Sequence, residues 1–283
     1  MNRISQATPL GFNGVVRGIM EEKIRLIVSS AVSAWAAGFE QRHIDEYDNP
    51  DGVINSKVHN IFVAALGDEI RFFSALSRSL DSSLGNLIES IAISIAKVNF
   101  EVSQQVEGVL YAEQTAKIGA LLERYKNSAD SHKPAIEHYQ DFPMKGEGQK
   151  HSKRHDSDYI LKHKTRGDYS LIELKLGGDL DNKKARSEKE ALLEQYCILA
   201  NQLGSDENIR IYFATGYNRY GEGNPWKQGR VLQFFAKDEL LISSDFWNFV
   251  ADSPKGYEIV LDEYRKNAHL ISDSINRVKK TYL

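Results

Sequence analysis

Cysteine is nearly absent. Cys197 is the one thiol in 283 residues, so a single chain can build neither a disulfide framework nor a cysteine-based zinc site. It lies in the apolar run LLEQYCILA, which predicts a buried structural thiol rather than a nucleophile and suits a reducing cytoplasm. Long apolar runs are missing too. None approaches the length of a transmembrane helix, so no membrane role is expected. The opening MNRISQATPLGFNGVV carries no signal-peptide pattern. Repeats and low-complexity blocks are absent. No strong field of one sign exists either: the formal net charge is −3, so any nucleic-acid surface has to be local. There is no Walker A loop, no GxGxxG and no HExxH, and the eight histidines form no ligand pattern.

Apolar residues make up 41% and charged residues 27%, the balance of a globular chain long enough for a sizeable core. Residues 1–14 read as a loose arm. Ile19, Ile24, Ile27, Val28, Val32 and Trp35 predict a helix from Val15 to Phe39. Asn49-Pro50-Asp51-Gly52 predicts a turn, and a helix is expected over Val58–Ser77. Asp81 or Ser82 can cap a further helix carrying Leu84, Leu87, Ile88, Ile91 and Ile95. Its small stripe of Gly85, Ala92 and Ala96 suggests a close approach, with Glu89 in the crevice. Another helix is expected from Gln105 to Lys126. Beyond Asn127 the chain turns polar, then shows two short strands, a helix from Ser187 to Leu203 and a continuous apolar strand, IRIYFATGY. RVLQFF reads as one more strand, and 244–283 as helices. The order predicts an α/β fold, a small mixed sheet flanked by helices, with a helical N-terminal region. We expect one catalytic domain over 1–283, divided into a helical region (15–126), a core (140–236) and C-terminal helices (244–283).

The stretch HDSDYILKHKTRGDYSLIELK, residues 155–175, reads as a hairpin. Residues two apart on a strand share a face, so Glu173 and Lys175 point together. A two- or four-residue connection would set Asp158 opposite Glu173 or Lys175, and a three-residue one would separate them unless a bulge intervened. Two carboxylates and an ammonium on one face suit a hard cation. Asp158 and Glu173 would hold magnesium with the backbone carbonyl of Leu174, and Lys175 would orient a water. Without a cation, two close carboxylates oppose each other's ionisation. The competing reading is a solvated hairpin with ordinary surface charges. Glu173-Leu174-Lys175 inside the apolar SLIELK argues against it.

Asp158, Glu173-Leu174-Lys175 and the intervening turn resemble the PD-(D/E)XK nuclease core. With SSLGNLIESIA, HDSDYI, IELKLGGDLDNKKARSEKEALLEQY and IYFATGYNRYGEGNPW, residues 80–250 resemble type II restriction endonucleases of that superfamily. No proline precedes either aspartate, so the motif leaves Asp156 as the alternative ligand to Asp158. The resemblance implies magnesium-dependent cleavage of double-stranded DNA at a short palindromic site, with manganese able to substitute. It also implies a homodimer, a cytoplasmic location in a prokaryotic cell, and a cognate DNA methyltransferase as genetic partner. It implies catalytic work for Glu89, and a place for Gln195, whose simpler reading is a solvated side chain. The alternatives are a repair or recombination nuclease on the same core, or a catalytically silent DNA-binding protein.

From Lys145 to Arg186, eleven Lys or Arg accompany seven acids, three of them candidate metal residues. This local basic character suits phosphate contacts, although charge runs are usually solvated faces. Lys153, Arg154, Asn182, Lys183, Lys184, Arg186, Asn218 and Arg219 are the expected DNA-binding residues, the Asn and Arg side chains among them able to read base edges. His151 and His155 are further phosphate candidates.

Overall fold

The structure, a computed structural model, describes residues 10–126, 133–140, 142 and 146–283; the side chains of 10–17, 157 and 158 lie outside the described set. Two compact units divide the chain, one formed by residues 1–91 and 258–283, the other by 92–257. The elements run in the order α1 (Leu10–Asp45), α2 (Ile61–Ala64), α3 (Asp68–Asn99), β1 (Phe100–Tyr111), α4 (Ala112–Tyr125), α5 (Glu137–Gln140), β2 (Lys150–His163), β3 (Tyr169–Leu174), α6 (Asn182–Leu203), β4 (Ile209–Thr215), α7 (Gly229–Leu232), β5 (Leu240–Ile242), α8 (Ser244–Ala251) and α9 (Gly256–Tyr282). No helix among the described residues is long and apolar enough to cross a membrane.

In the first unit, α1 buries Ile24, Val28, Val32, Ala36 and Phe39, one stripe at helical spacing. Phe39 packs with Ile54, Phe72, Ala75, Leu76 and Val278 of α9. Trp35 donates its indole N–H to Ser83 O at 2.9 Å, and the Tyr282 hydroxyl donates to His43 O at 2.9 Å. The Asn49–Gly52 turn forms as expected, Gly52 N reaching Asn49 O at 3.0 Å. The single helix expected over 58–77 is instead a 3-10 turn (Asn55–His59), the four-residue α2 and the start of α3. Gly67, at φ +94°, makes the break. The cap expected at Asp81 or Ser82 is not used, because α3 runs through both. An added Cβ at Gly85 would meet nothing within 4 Å, so the stripe is not a crevice at that position.

The second unit is built on a sheet of strand order β1-β2-β3-β4-β5. β1, β2 and β3 are antiparallel neighbours; β3–β4 and β4–β5 are parallel, with α6 as the crossover between β3 and β4. The helix expected over 105–126 is therefore part strand, and β1 is the finding that most changes the sequence-based picture. Val106 and Leu110 stand four apart, as on a helix face, but on β1 the same even spacing sets both on one face of a strand. Gly108 marks the difference. A Cβ there would come within 2.6 Å of Ile198 Cγ2 and 2.8 Å of Gln202 Nε2, because β1 lies directly against α6. RVLQFF also differs: it forms α7 and a buried turn instead of a strand.

One sheet face carries Ile160, Leu171, Ile211 and Phe213, packed with Leu192, Leu193 and Tyr196 of α6 and Leu121 and Leu122 of α4. The other presents Tyr159 and Tyr212 to Phe246 and Phe249 of α8. Cys197 is buried, and burial followed by the charges of Glu194 and Asp206 pushes its thiol up to about 12, which makes it inert. Lys189 on α6 is fully buried. It is ion-paired with Glu239, which also accepts from the Tyr139 hydroxyl at 2.6 Å and from Ala236 N at 2.7 Å. Burial holds the Lys189 ammonium below its ordinary range, against the opposing pull of Glu239. Replacing Lys189 by Met leaves an uncompensated buried carboxylate and should cost about 3–5 kcal/mol in urea unfolding. Adding Glu239→Gln should recover most of that loss, since the amide still accepts from Tyr139 without charge.

Candidate active site

The site is built where β3 ends. Tyr159 pairs with Ile172 and Ile160 with Leu171 across the β2–β3 ladder. Alternation along β3 therefore sends Glu173 to the α6 face with Leu171, and places it beside Phe213 of β4. Glu173 is buried there, a carboxylate beside the apolar side chains of Leu171 and Phe213. Lys175 follows the strand, its backbone N–H donating to Ala214 O at 3.0 Å. Its ammonium makes an ion pair with Glu173 Oε1 and lies 3.4 Å from Glu188 Oε1 on α6. The sequence alone does not single out Glu188. It looked like one charge among many in ARSEKEALLE, and only the packing of α6 against β3 selects it.

The Asp158 side chain lies outside the described residues, as does Lys145. The backbone around position 158 is informative. The β1–β2 register runs Ser103 to Ile160 and then Gln105 to Asp156, so β2 carries two extra residues between those rungs. Bulges of this kind re-aim side chains and often sit beside active sites. Asp156 is exposed, and its Oδ1 accepts from Gln105 Nε2 at 2.8 Å. Among the described residues no group of three His, Cys, Asp or Glu stands ready to hold a metal ion.

Glu194 on α6 is buried and gathers two residues from β2, with Lys153 Nζ at 2.6 Å and His155 Nε2 at 2.8 Å. The His155 contact lies off the direction of a good hydrogen bond. Gln195 is buried rather than solvated, because α6 is covered by both the sheet and α4. Glu89 lies half-buried on α3 in the first unit, whereas Glu173 and Lys175 belong to the second.

The expected DNA-binding residues fall into two groups. Arg154, Asn182, Lys183 and Lys184 are exposed. Asp181 caps α6 through Lys184 N at 2.8 Å and turns this basic first turn outward. The others are engaged within the protein. Lys153 faces Glu194; Arg186 bonds Glu190 at 3.2 Å and Glu123 at 3.3 Å; Arg219 pairs with Asp179 at 2.9 Å. Asn218 closes its own loop, donating to Asn224 O at 2.8 Å and accepting from Tyr220 N at 3.0 Å. Lys126, Asn182, Lys183, Arg186, Gln233 and Phe234 line a cavity of about 410 Å³.

The turn after Lys175 is packed tightly. Gly178 has φ +63°, and a Cβ there would run into the Trp226 ring and come 2.8 Å from Thr215 Cγ2. Gly178→Ala should destabilise the protein by about 1–3 kcal/mol, measured as a fall in thermal midpoint, and should push the β3–α6 loop away from the Trp226 ring. An unchanged midpoint would mean that this loop has room that its geometry denies.

A family model described as Type II restriction endonuclease, HinfI, matches residues 20–268, most of the chain and all of the sheet. Searches of curated proteins and of solved structures gave no match. The mixed α/β architecture is consistent with a restriction-endonuclease-like fold. The chain belongs to the HinfI family of type II restriction endonucleases.

Proposed function

We propose that this chain is a single-domain, magnesium-dependent endonuclease with its core in residues 140–236, cutting both strands of DNA at a short palindromic site. The observation that carries the reading is the ion pair of the buried Glu173 with Lys175 at the end of β3. Continued one residue past Tyr159–Ile172, the register of the β2–β3 ladder assigns position 158 to the rung of Glu173. Asp158, Glu173 and the Leu174 carbonyl would hold the cation, with manganese able to replace magnesium. The donor set is hard oxygen, as magnesium requires. The cation, when bound, supplies Lewis-acid polarisation and a water of lowered pKa. Lys175 holds its ammonium beside that position, where it orients the water and offsets charge growing on the phosphate. Asp156, already engaged by Gln105, is the weaker ligand candidate. The exposed residues Arg154, Lys183 and Lys184 suit phosphate contacts, and Asn182 suits an adenine edge. Glu89 is assigned a supporting catalytic role. A cytoplasmic enzyme of this kind is paired genetically with a DNA methyltransferase that protects the host.

Glu173→Ala, Lys175→Ala and Asp158→Ala should each lower plasmid cleavage by at least about 10²-fold, while calcium-supported DNA binding stays near wild type. Asp156→Ala should be milder. A chelator should stop the wild-type enzyme, and magnesium should restore discrete bands. Normal cutting by either Glu173→Ala or Lys175→Ala would remove this mechanism; full activity in chelator would remove the metal; smears or nicks would favour a repair-type nuclease.

One site cuts one strand, so a two-fold dimer is the simplest way to cut two. The first unit supplies a surface suited to a second copy. Neither the 3-10 turn Asn55–His59 nor α2 has a buried residue, although both carry apolar side chains. Ile61, Phe62 and Leu66 are 70%, 81% and 65% exposed, and Ile70 is 50% exposed. Phe62 alone leaves on the order of 150 Å² of apolar surface in water, and contiguous patches of a few hundred Å² mark interfaces. Ile61→Ser with Phe62→Ser should convert a dimer, read by light scattering, into a monomer that nicks more than it cuts. A wild-type monomer on DNA would overturn the dimer.

A further inference from the structure

Among the described residues two carboxylates hold Lys175, and the proposed chemistry accounts for only one of them. The ammonium contacts Glu173 Oε1 and lies 3.4 Å from Glu188 Oε1. Both ends of the second contact are sheltered, the side chains being 34% and 26% exposed, so water and salt screen this pair less than a surface pair. Its geometry is also fixed from both sides. Lys175 is tied at its backbone, its N–H bound to Ala214 O and its carbonyl accepting from Gly178 N, each at 3.0 Å. Glu188 precedes the fully buried Lys189, whose ammonium is clamped by Glu239 and lies 4.7 Å and 5.0 Å from the Tyr139 and Phe235 ring centres. Successive residues on a helix differ by about 100° in direction, so pinning Lys189 sets where Glu188 points.

We infer that Glu188 is a positioning residue for Lys175, keeping the ammonium in place when Glu173 gives its oxygens to a cation. This rests on the nuclease reading above. A carboxylate that coordinates a divalent cation holds an ammonium less strongly, because the same negative charge is shared. A second counter-charge then keeps Lys175 from regaining its rotamer freedom and leaving its post. Glu188 is that counter-charge. It comes from the crossover helix rather than from the catalytic strands, and so does not move with Glu173.

The test uses the full-length protein with Glu188→Gln, Glu188→Asp, Lys175→Ala and the Glu188→Gln/Lys175→Ala double variant. Glu188→Gln should slow single-turnover cleavage by about 10–100-fold, the size of loss seen when an outer partner of a site is removed. Its DNA Kd in calcium should stay within about two-fold of wild type, and so should the magnesium concentration for half-maximal rate. Glu188→Asp should recover part of the rate. In the Lys175→Ala background, Glu188→Gln should have no further effect, because both changes act through the same ammonium. Without metal or DNA, reductive methylation of Lys175, read by mass spectrometry, should be several-fold faster in Glu188→Gln than in wild type. Wild-type cleavage by Glu188→Gln, additive losses in the double variant, or unchanged methylation would overturn the inference. A raised magnesium requirement with an unchanged saturating rate would make Glu188 a cation ligand and overturn it as well. Equal cutting by Lys175→Ala and wild type would instead sink the nuclease mechanism, and the methylation rates would still report on the Glu188–Lys175 contact.

Discussion

A carboxylate buried among apolar neighbours on the sheet is the constraint around which the second unit is arranged. Glu173 sits in the same row as Leu171 and beside Phe213, where a hydrophobic side chain would pack without electrostatic cost. A buried charge needs a partner of opposite sign nearby. Lys175 is that partner, and its own backbone is fixed by β4. α6 closes the arrangement from above, with Glu188 reaching the lysine and Glu194 reaching β2. α6 is in turn locked by the Lys189–Glu239 pair beneath it. Such pairs contribute little net stability compared with an apolar replacement, but breaking one side is costly. The crossover helix is therefore held in one rotation, which a site built from facing side chains needs.

Much of this was legible in the sequence because the signals were local. The hairpin was visible in the alternation of SLIELK, the apolar strand IRIYFATGY became the covered β4, and Cys197 is buried as its neighbours implied. The errors arose where tertiary contact overrode a local pattern. Val106 and Leu110 satisfy a helix period, and only the pairing of β1 with β2 makes them a strand. Gly108 was the available clue, since a glycine inside an apolar segment often marks a close approach. The broken helix at Gly67 could also have been read, because glycine is a natural stop. RVLQFF became α7 because Val231, Phe234 and Phe235 fill the core from a turn, which apolar content alone does not distinguish from a strand.

For the site, the sequence supplied chemistry but not pairing. Glu173 and Lys175 come together because they are two residues apart where β3 ends, a relation that spacing alone encodes. Glu188 and Glu194 are separated from their partners by thirteen and about forty residues. No periodicity connects them, and only the packing of α6 selects them from a helix crowded with charge. The same packing buries Gln195. The basic residues divide on similar grounds: those at the start of α6 face water, whereas Arg186 and Arg219 already have acidic partners inside the protein.

The two extra residues of β2 between the rungs at Asp156 and Ile160 carry an implication for how such a site can change over time. Aspartate stands at both 156 and 158, and the ladder with β3 counts outward from Tyr159. If Ser157 and Asp158 were lost together, the bulge would close and Asp156 would inherit the rung opposite Glu173. On the proposed reading, the ligand role belongs to a place on the ladder rather than to one residue. On that reading, a strand with a second aspartate at the same parity holds an alternative ligand in reserve, reachable by a deletion of two codons.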